Sequence, residues 1–228
     1  MTEDTCARII RVLIIDDDKE MTANLCDAFE RYSKGKIILP EEMRHGRQWE
    51  FLPECVFLPE RMSEPLRARP TWDIIVIDKM FDGEPLSIEV LKSLRDLQVD
   101  AIRIVWTAYP EERDIIDSMR LGAWDYLDKK APRHGDTFTD VIVSAIEGLQ
   151  EKESQLRKAK IDREGHEFVV DHYGEIYPNH KGNFVAFGRD EQGNWNIEPL
   201  AKDPSLFGLY RKLGDINHEE IHITLINE

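Results

Sequence analysis

Four short apolar runs in this chain each end in a residue suited to metal or phosphate. Val12-Leu13-Ile14-Ile15 leads into Asp16-Asp17-Asp18, Ile74-Ile75-Val76-Ile77 into Asp78, and Ile102 to Trp106 into Thr107. Trp124-Asp125-Tyr126-Leu127-Asp128 delivers Lys129 in the same way. If these runs are parallel strands, their carboxyl ends gather carboxylates, a hydroxyl and an ammonium into one crevice. Magnesium takes oxygen ligands and keeps several waters, so Asp16, Asp17, Asp78 and a loop carbonyl suffice to hold it. The cation offsets repulsion between those carboxylates and an incoming phosphate. A phosphoryl group then needs a nucleophile, for which Asp78 is the candidate, and charge stabilisation, which Thr107 and Lys129 can supply. Each residue alone is ordinary, since an aspartate after a strand is most often a helix N-cap. The ordered set points to this chemistry, with intervals of 29 residues from Asp78 to Thr107 and 22 from Thr107 to Lys129.

The flanking segments alternate between strand and helix patterns. Arg8 to Ile15 reads as a buried strand, and Met21, Leu25, Phe29 and Tyr32 recur at helical spacing before Gly35. Lys36 to Leu39 is a candidate second strand. Five of the chain's eleven prolines then fall between Pro40 and Pro70, which disfavours a long helix. Trp49, Phe51, Val56, Phe57 and Leu58 make that stretch too apolar for a disordered linker. An ordered insertion over about 40–72 is expected, with room for a short strand or hairpin. Asp78 to Gly83 reads as a loop, and Pro85 as the first turn of a helix carrying Leu86, Val90, Leu91 and Leu94. Pro110-Glu111-Glu112 starts another helix, with Ile115, Ile116 and Met119 on its inner face and Gly122 past its end. A final helix begins near Asp136 or Thr139. Strands alternating with helices predict an α/β domain with a parallel sheet over residues 1–150.

Residues 151–164 are helical in propensity but almost entirely charged, which suggests a connector. Beyond Gly165, Phe168, Val169, His172, Tyr173 and Ile176 fit one amphipathic helix. Asn183–Phe187 and Trp195–Pro199 read as two strands, and Asp203-Pro204 as the start of a helix that Gly214 closes. Ile221, Ile223 and Leu225 alternate as a last strand. The prediction for 165–228 is a second, smaller α+β (αββαβ) domain.

Composition bounds the function. With 45 acidic and 30 basic residues among 228, the chain carries a net charge of −15, which argues against nucleic acid and against anionic membrane surfaces as partners. Cys6, Cys26 and Cys55 lack metal-site spacing and read as reduced thiols. No stretch resembles a signal peptide or approaches the length of a membrane span, so a cytoplasmic location is expected.

Taken together, the motifs resemble the receiver domain of bacterial two-component response regulators. The resemblance covers about Arg8 to Leu149 and rests on Leu13-Ile14-Ile15-Asp16-Asp17, Asp73 to Asp78, Trp106-Thr107-Ala108-Tyr109 and Gly122 to Lys129. It implies a flavodoxin-like, doubly wound five-stranded parallel sheet of order 2-1-3-4-5. It also implies Asp78 as phosphoacceptor and Mg2+ as cofactor, bound by Asp17 and Asp78 directly and by Asp16 through water. The Met80 backbone carbonyl would be a further ligand, and Thr107 and Lys129 would contact the phosphoryl oxygens. Tyr126 stands at the family's aromatic switch position; a static core aromatic is the alternative. The implied partners are a sensor histidine kinase or phosphotransfer protein and a downstream protein, and a homodimer is allowed. Three departures stand out: Lys130 and Phe81 occur where prolines are frequent, and the 40–72 insertion lengthens the interval before Asp78.

The C-terminal part bears on the output. From Gly165 onward it has five basic and eleven acidic residues, no helix-turn-helix pattern and no nucleophile–base arrangement. A protein-interaction output is therefore expected rather than DNA binding. A phosphorylation-independent scaffold and a receiver controlling an unrecognised C-terminal activity stay open as alternatives.

Overall fold

The computed structural model describes residues 8–36, 49–56, 71–190, 192–214, 216 and 220–226. They belong to two compact units, one running to Leu149 and one from Gln150.

In the first unit, β1 (Arg8–Ile15), β2 (Trp49–Val56), β3 (Ile74–Ile77), β6 (Ile102–Thr107) and β7 (Asp125–Asp128) form one sheet. Its order is β2-β1-β3-β6-β7, with every neighbouring pair parallel. This is the order 2-1-3-4-5 of a doubly wound, flavodoxin-like sheet. Side chains alternate across it with period two. Ile10, Val12, Ile14, Ile74, Val76, Ile104 and Trp106 face Leu25 and Phe29 of α1 (Lys19–Ser33) and Val141, Ala145 and Ile146 of α4 (Thr137–Asp171). Leu13, Ile15, Ile75, Ile77 and Val105 face Val90, Leu91 and Leu94 of α2 (Ser87–Asp96). Both faces of β3 are covered, which is why its sequence is an unbroken apolar run.

Three details of this unit differ from the expectation. The sheet's second strand is Trp49–Val56, inside the stretch expected to be an insertion; the candidate strand at 36–39 lies almost wholly outside the described residues. Pro53 fits there because β2 is an edge strand, where a missing N–H is tolerated. Pro85 is not in a helix: β4 (Met80–Phe81) pairs antiparallel with β5 (Glu84–Pro85). Asp82 and Gly83 turn between them with φ of 47° and 83°, the left-handed pair that an Asp-Gly hairpin turn requires. Phe81 is buried and anchors this hairpin among the residues beneath α2.

The third difference concerns α3 (Glu112–Arg120). Ile115, Ile116 and Met119, expected inside, are 37%, 45% and 46% exposed, while Ser118 is buried. Asp114, one turn before Ser118, pairs with the buried Lys79. A buried ammonium needs a carboxylate more than the sheet needs another isoleucine, and that need sets the helix's rotation.

In the second unit, β8 (Phe184–Phe187) lies between β9 (Ala201–Asp203) and β10 (His222–Leu225) in an antiparallel sheet. Its helices are the later part of α4, α5 (Tyr173–His180) and α6 (Leu206–Leu213). The expected connector over 151–164 is the middle of α4, which runs unbroken through Gly165. Lys158 donates to the Ile221 carbonyl at 2.8 Å and pairs with Asp162 at 3.0 Å, so these charges serve packing within the unit. Trp195–Pro199 is not a strand; Trp195 makes an isolated bridge with Arg189, and Ala201–Asp203 takes the edge of the sheet. Ser205, not Asp203, caps α6 by accepting the Gly208 N–H at 3.0 Å.

Gly165 shows why the helix carries a glycine there: a Cβ would lie 2.2 Å from His222 Cβ. Gly165→Ala should cost about 1–3 kcal/mol, although helix propensity alone would favour alanine by about 1 kcal/mol. Urea unfolding followed by Trp195, the one tryptophan after Gln150, measures it, and a stabilised variant would contradict the close approach. No helix among the described residues is long and apolar enough to cross a membrane.

Candidate functional site

The parallel register brings the polar strand ends together. Ile15 lies beside Ile77, Ile77 beside Val105, and Thr107 beside Asp128. The residues following these ends therefore share one edge of the sheet, where Asp16, Asp17 and Asp78 place carboxylate oxygens within 4.8 Å of one another. Asp17, Asp78, Met80, Tyr109, Lys129 and Lys130 line an open depression of about 680 Å³ at this edge.

Each carboxylate is held differently. Asp16 is buried; its Oδ1 accepts the Asp18 N–H at 2.8 Å and its Oδ2 accepts from Lys129 Nζ at 2.8 Å. Burial pushes the Asp16 carboxyl above its ordinary range, with Lys129 opposing. Asp17 Oδ2 accepts the Asp82 N–H at 2.7 Å, fastening the β4–β5 hairpin to the end of β1. Asp78 is buried, with Lys129 Nζ 3.3 Å from its Oδ1. The ammonium aims its hydrogen bond at Asp16, so that Asp78 oxygen has no hydrogen-bond partner. Burial, with Asp16 adding and Lys129 opposing, raises the Asp78 carboxyl to about 6.

Thr107 is fully buried behind the depression, and its Oγ1 accepts the Tyr109 N–H at 3.1 Å. Lys129 is fixed by its backbone N–H to the Thr107 carbonyl at 2.7 Å and by its ammonium 4.7 Å from the Trp106 ring. Tyr126 is turned inward, its ring in the core and its hydroxyl buried without a hydrogen bond. Lys130 places its ammonium 4.3 Å from the Tyr109 ring at the rim. No cis peptide bond occurs among the described residues.

Sequence reasoning misses one residue. Lys79, directly after Asp78, is 3% exposed. Its ammonium reaches Asp114 at 2.5 Å, Glu111 at 3.0 Å and the Tyr109 carbonyl at 3.0 Å. Burial works against its charge, yet the two carboxylates outweigh it and hold the ammonium above its ordinary value. Lys79 thus ties the Asp78 loop to the Thr107–Tyr109 loop and to the start of α3. The only signal in the sequence is a lysine beside the key aspartate, because Glu111 and Asp114 read as helix-dipole residues.

The donor set is entirely oxygen, from three carboxylates of which two are buried. These residues fit a hard divalent cation rather than a soft one.

This sheet order, with an acidic cluster at its carboxyl edge, decides the fold. The first unit has the fold of a response-regulator receiver domain. Among solved structures, the chain is similar to the receiver domain of the Francisella response regulator 1452: 22% identity, 63% of this chain and 98% of that one, TM-score 0.47. A CheY-like receiver domain protein from Methanospirillum hungatei JF-1 matches at 20% identity over 64% of this chain and 98% of that one, TM-score 0.48. A response regulator from Burkholderia pseudomallei, solved with a phosphorylated aspartic acid, calcium ion and citrate, matches at 19% identity over 63% of this chain and 72% of that one, TM-score 0.45. At these identities the likeness concerns fold alone. No family model matches the chain, and no curated protein does.

Proposed function

We propose that the first unit is a phosphorylation-dependent receiver in which Asp78 accepts a phosphoryl group. The observation that carries this reading is the buried Asp78 carboxylate, ion-paired with Lys129 at 3.3 Å and set beside two further carboxylates at the sheet edge. A carboxyl raised to about 6 is still mostly ionised above neutrality and is a better nucleophile than an ordinary aspartate. The Asp78 oxygen forms the new bond to phosphorus while the donor's bond to the phosphoryl group breaks.

Asp17 and Asp78 would hold Mg2+ directly, Asp16 through water, and the Met80 backbone carbonyl would complete the protein ligands. The bound cation supplies positive charge against the phosphoryl oxygens. Lys129 lies between Asp16 and Asp78 and can turn its ammonium to a phosphoryl oxygen as a new ion-pair partner. Thr107 reaches the same group if the Thr107–Tyr109 loop moves toward the depression, and Tyr126 behind it is the switch residue. The reading also assigns a histidine kinase or phosphotransfer protein as donor, a cytoplasmic site of action and a protein-interaction output in the second unit. It assigns no turnover of a separate substrate.

Incubation of the full chain with magnesium and acetyl phosphate should add one phosphoryl mass, labile to hydroxylamine. Asp78→Asn should lose that label completely. An equal yield in the variant would overturn the assignment.

A further inference from the structure

We propose that Cys26 and Cys55 form a reversible thiol–disulfide pair that a hydroperoxide oxidises. Cys26 lies on α1 and Cys55 on β2, beside Ile14 of β1, and their sulfurs are 3.0 Å apart. A disulfide needs about 2.0 Å, so bond formation requires a movement of only about 1 Å. Both side chains are half-buried rather than sealed, which leaves a small oxidant a path to them. They pack against the core as a pair across two elements that are 29 residues apart in sequence.

The alternative chemistry for two adjacent thiols is a soft metal site. Such a site commonly needs three or four ligands. Among the described residues, the one group of three or more metal-ligating side chains is Asp16, Asp17 and Asp78, so the cysteines lack a third partner there. Their shared hydrogen bond also divides their roles. It lowers the Cys26 thiol and raises the Cys55 thiol, with burial adding to the second. Cys26 is then the attacking thiolate and Cys55 the resolving thiol.

The steps balance. The Cys26 thiolate attacks one peroxide oxygen; the O–O bond breaks and the leaving oxygen takes a proton from solvent. Cys26 is now a sulfenic acid. The Cys55 sulfur attacks the Cys26 sulfur, the S–S bond forms, and the S–O bond breaks. The departing hydroxide leaves as water with the Cys55 proton. Two electrons pass from the two thiols to the peroxide, and an external dithiol reverses the change. The bond would join α1 to the end of β2, where the carbonyl of the next residue, Val56, accepts the Asp16 N–H at 3.2 Å. Oxidation thus fixes the corner beside the acidic cluster.

The test treats the reduced full chain with hydrogen peroxide, alkylates the remaining thiols, and digests with trypsin without reduction. Two of the three cysteines should become resistant to alkylation, and peptides 20–31 and 48–61 should appear joined. Dithiothreitol should separate them. Cys26→Ser and Cys55→Ser should each abolish the joined pair, whereas Cys6→Ser should keep it. Linkage through Cys6, or overoxidation of Cys26 with no joined peptide, would overturn the proposal. The wild-type peptide map decides this even if a serine variant folds poorly.

Discussion

Lys129→Met should destabilise the first unit by about 3–5 kcal/mol at pH 8 in the presence of a chelator. Its ammonium is the cation within 3.3 Å of two buried carboxylates, bonding Asp16 at 2.8 Å and standing 3.3 Å from Asp78. Removing it leaves like charges facing each other out of water, and such charges either protonate or draw in solvent. Methionine keeps the side-chain stem near the Trp106 ring, so the measured loss reports charge rather than packing. The sign with pH follows. Without the lysine, the folded-state values of Asp16 and Asp78 rise further above their unfolded ones, so stability falls as pH rises through them. The cost should be large at pH 8 and much smaller at pH 5, read by urea unfolding at both. A loss below about 1 kcal/mol at pH 8 would mean that the carboxylates are hydrated, and the buried-pair picture would fail.

Burial also explains which parts of the molecule were legible in the sequence. Parallel strands buried on both faces are written as continuous apolar runs, and a polar residue after such a run sits at the sheet's carboxyl edge. Asp16, Asp78, Thr107 and Lys129 were legible for that reason. The elements that depart from simple patterning were not. β2 carries a proline that an edge position tolerates, and its partner strand is what makes it an edge. Asp82-Gly83 is a hairpin signal, but two residues on either side are too few to look like strands. α3 turns Asp114 inward because Lys79 is buried, and no periodicity in α3 reveals a lysine on another element. Gly165 marks only a change of pattern in the sequence; the approach of His222 shows that it is a spacer. For β2, α3 and Gly165 the missing information is a contact between distant segments.

Asp78→Asn should stabilise the chain by about 1–3 kcal/mol at pH 7.5 without divalent metal, even though it removes the proposed nucleophile. In the folded state the Asp78 carboxyl sits at about 6, above its ordinary 3.8. The folded state therefore binds this proton more tightly, and the group's contribution to stability is lost as pH rises from about 4 to about 6. Above that window the charge is held in the fold at a cost of about 1.4 kcal/mol for each pH unit that separates the folded and unfolded midpoints. Asparagine keeps the shape without the charge. Lys129 is not orphaned, because its hydrogen bond goes to Asp16. The gain should shrink to about half at pH 5, where wild type is already mostly protonated. Magnesium should reverse the ranking by stabilising wild type more than the variant, since a cation acts on the carboxylates that remain charged. A destabilised variant at pH 7.5 would show that Asp78 contributes to folding through bonds to its charged form. An unchanged ranking with magnesium would separate the acidic cluster from metal binding. Both expected results have one origin: the buried charge that costs stability in the resting protein is the charge that a cation or a phosphoryl group can use.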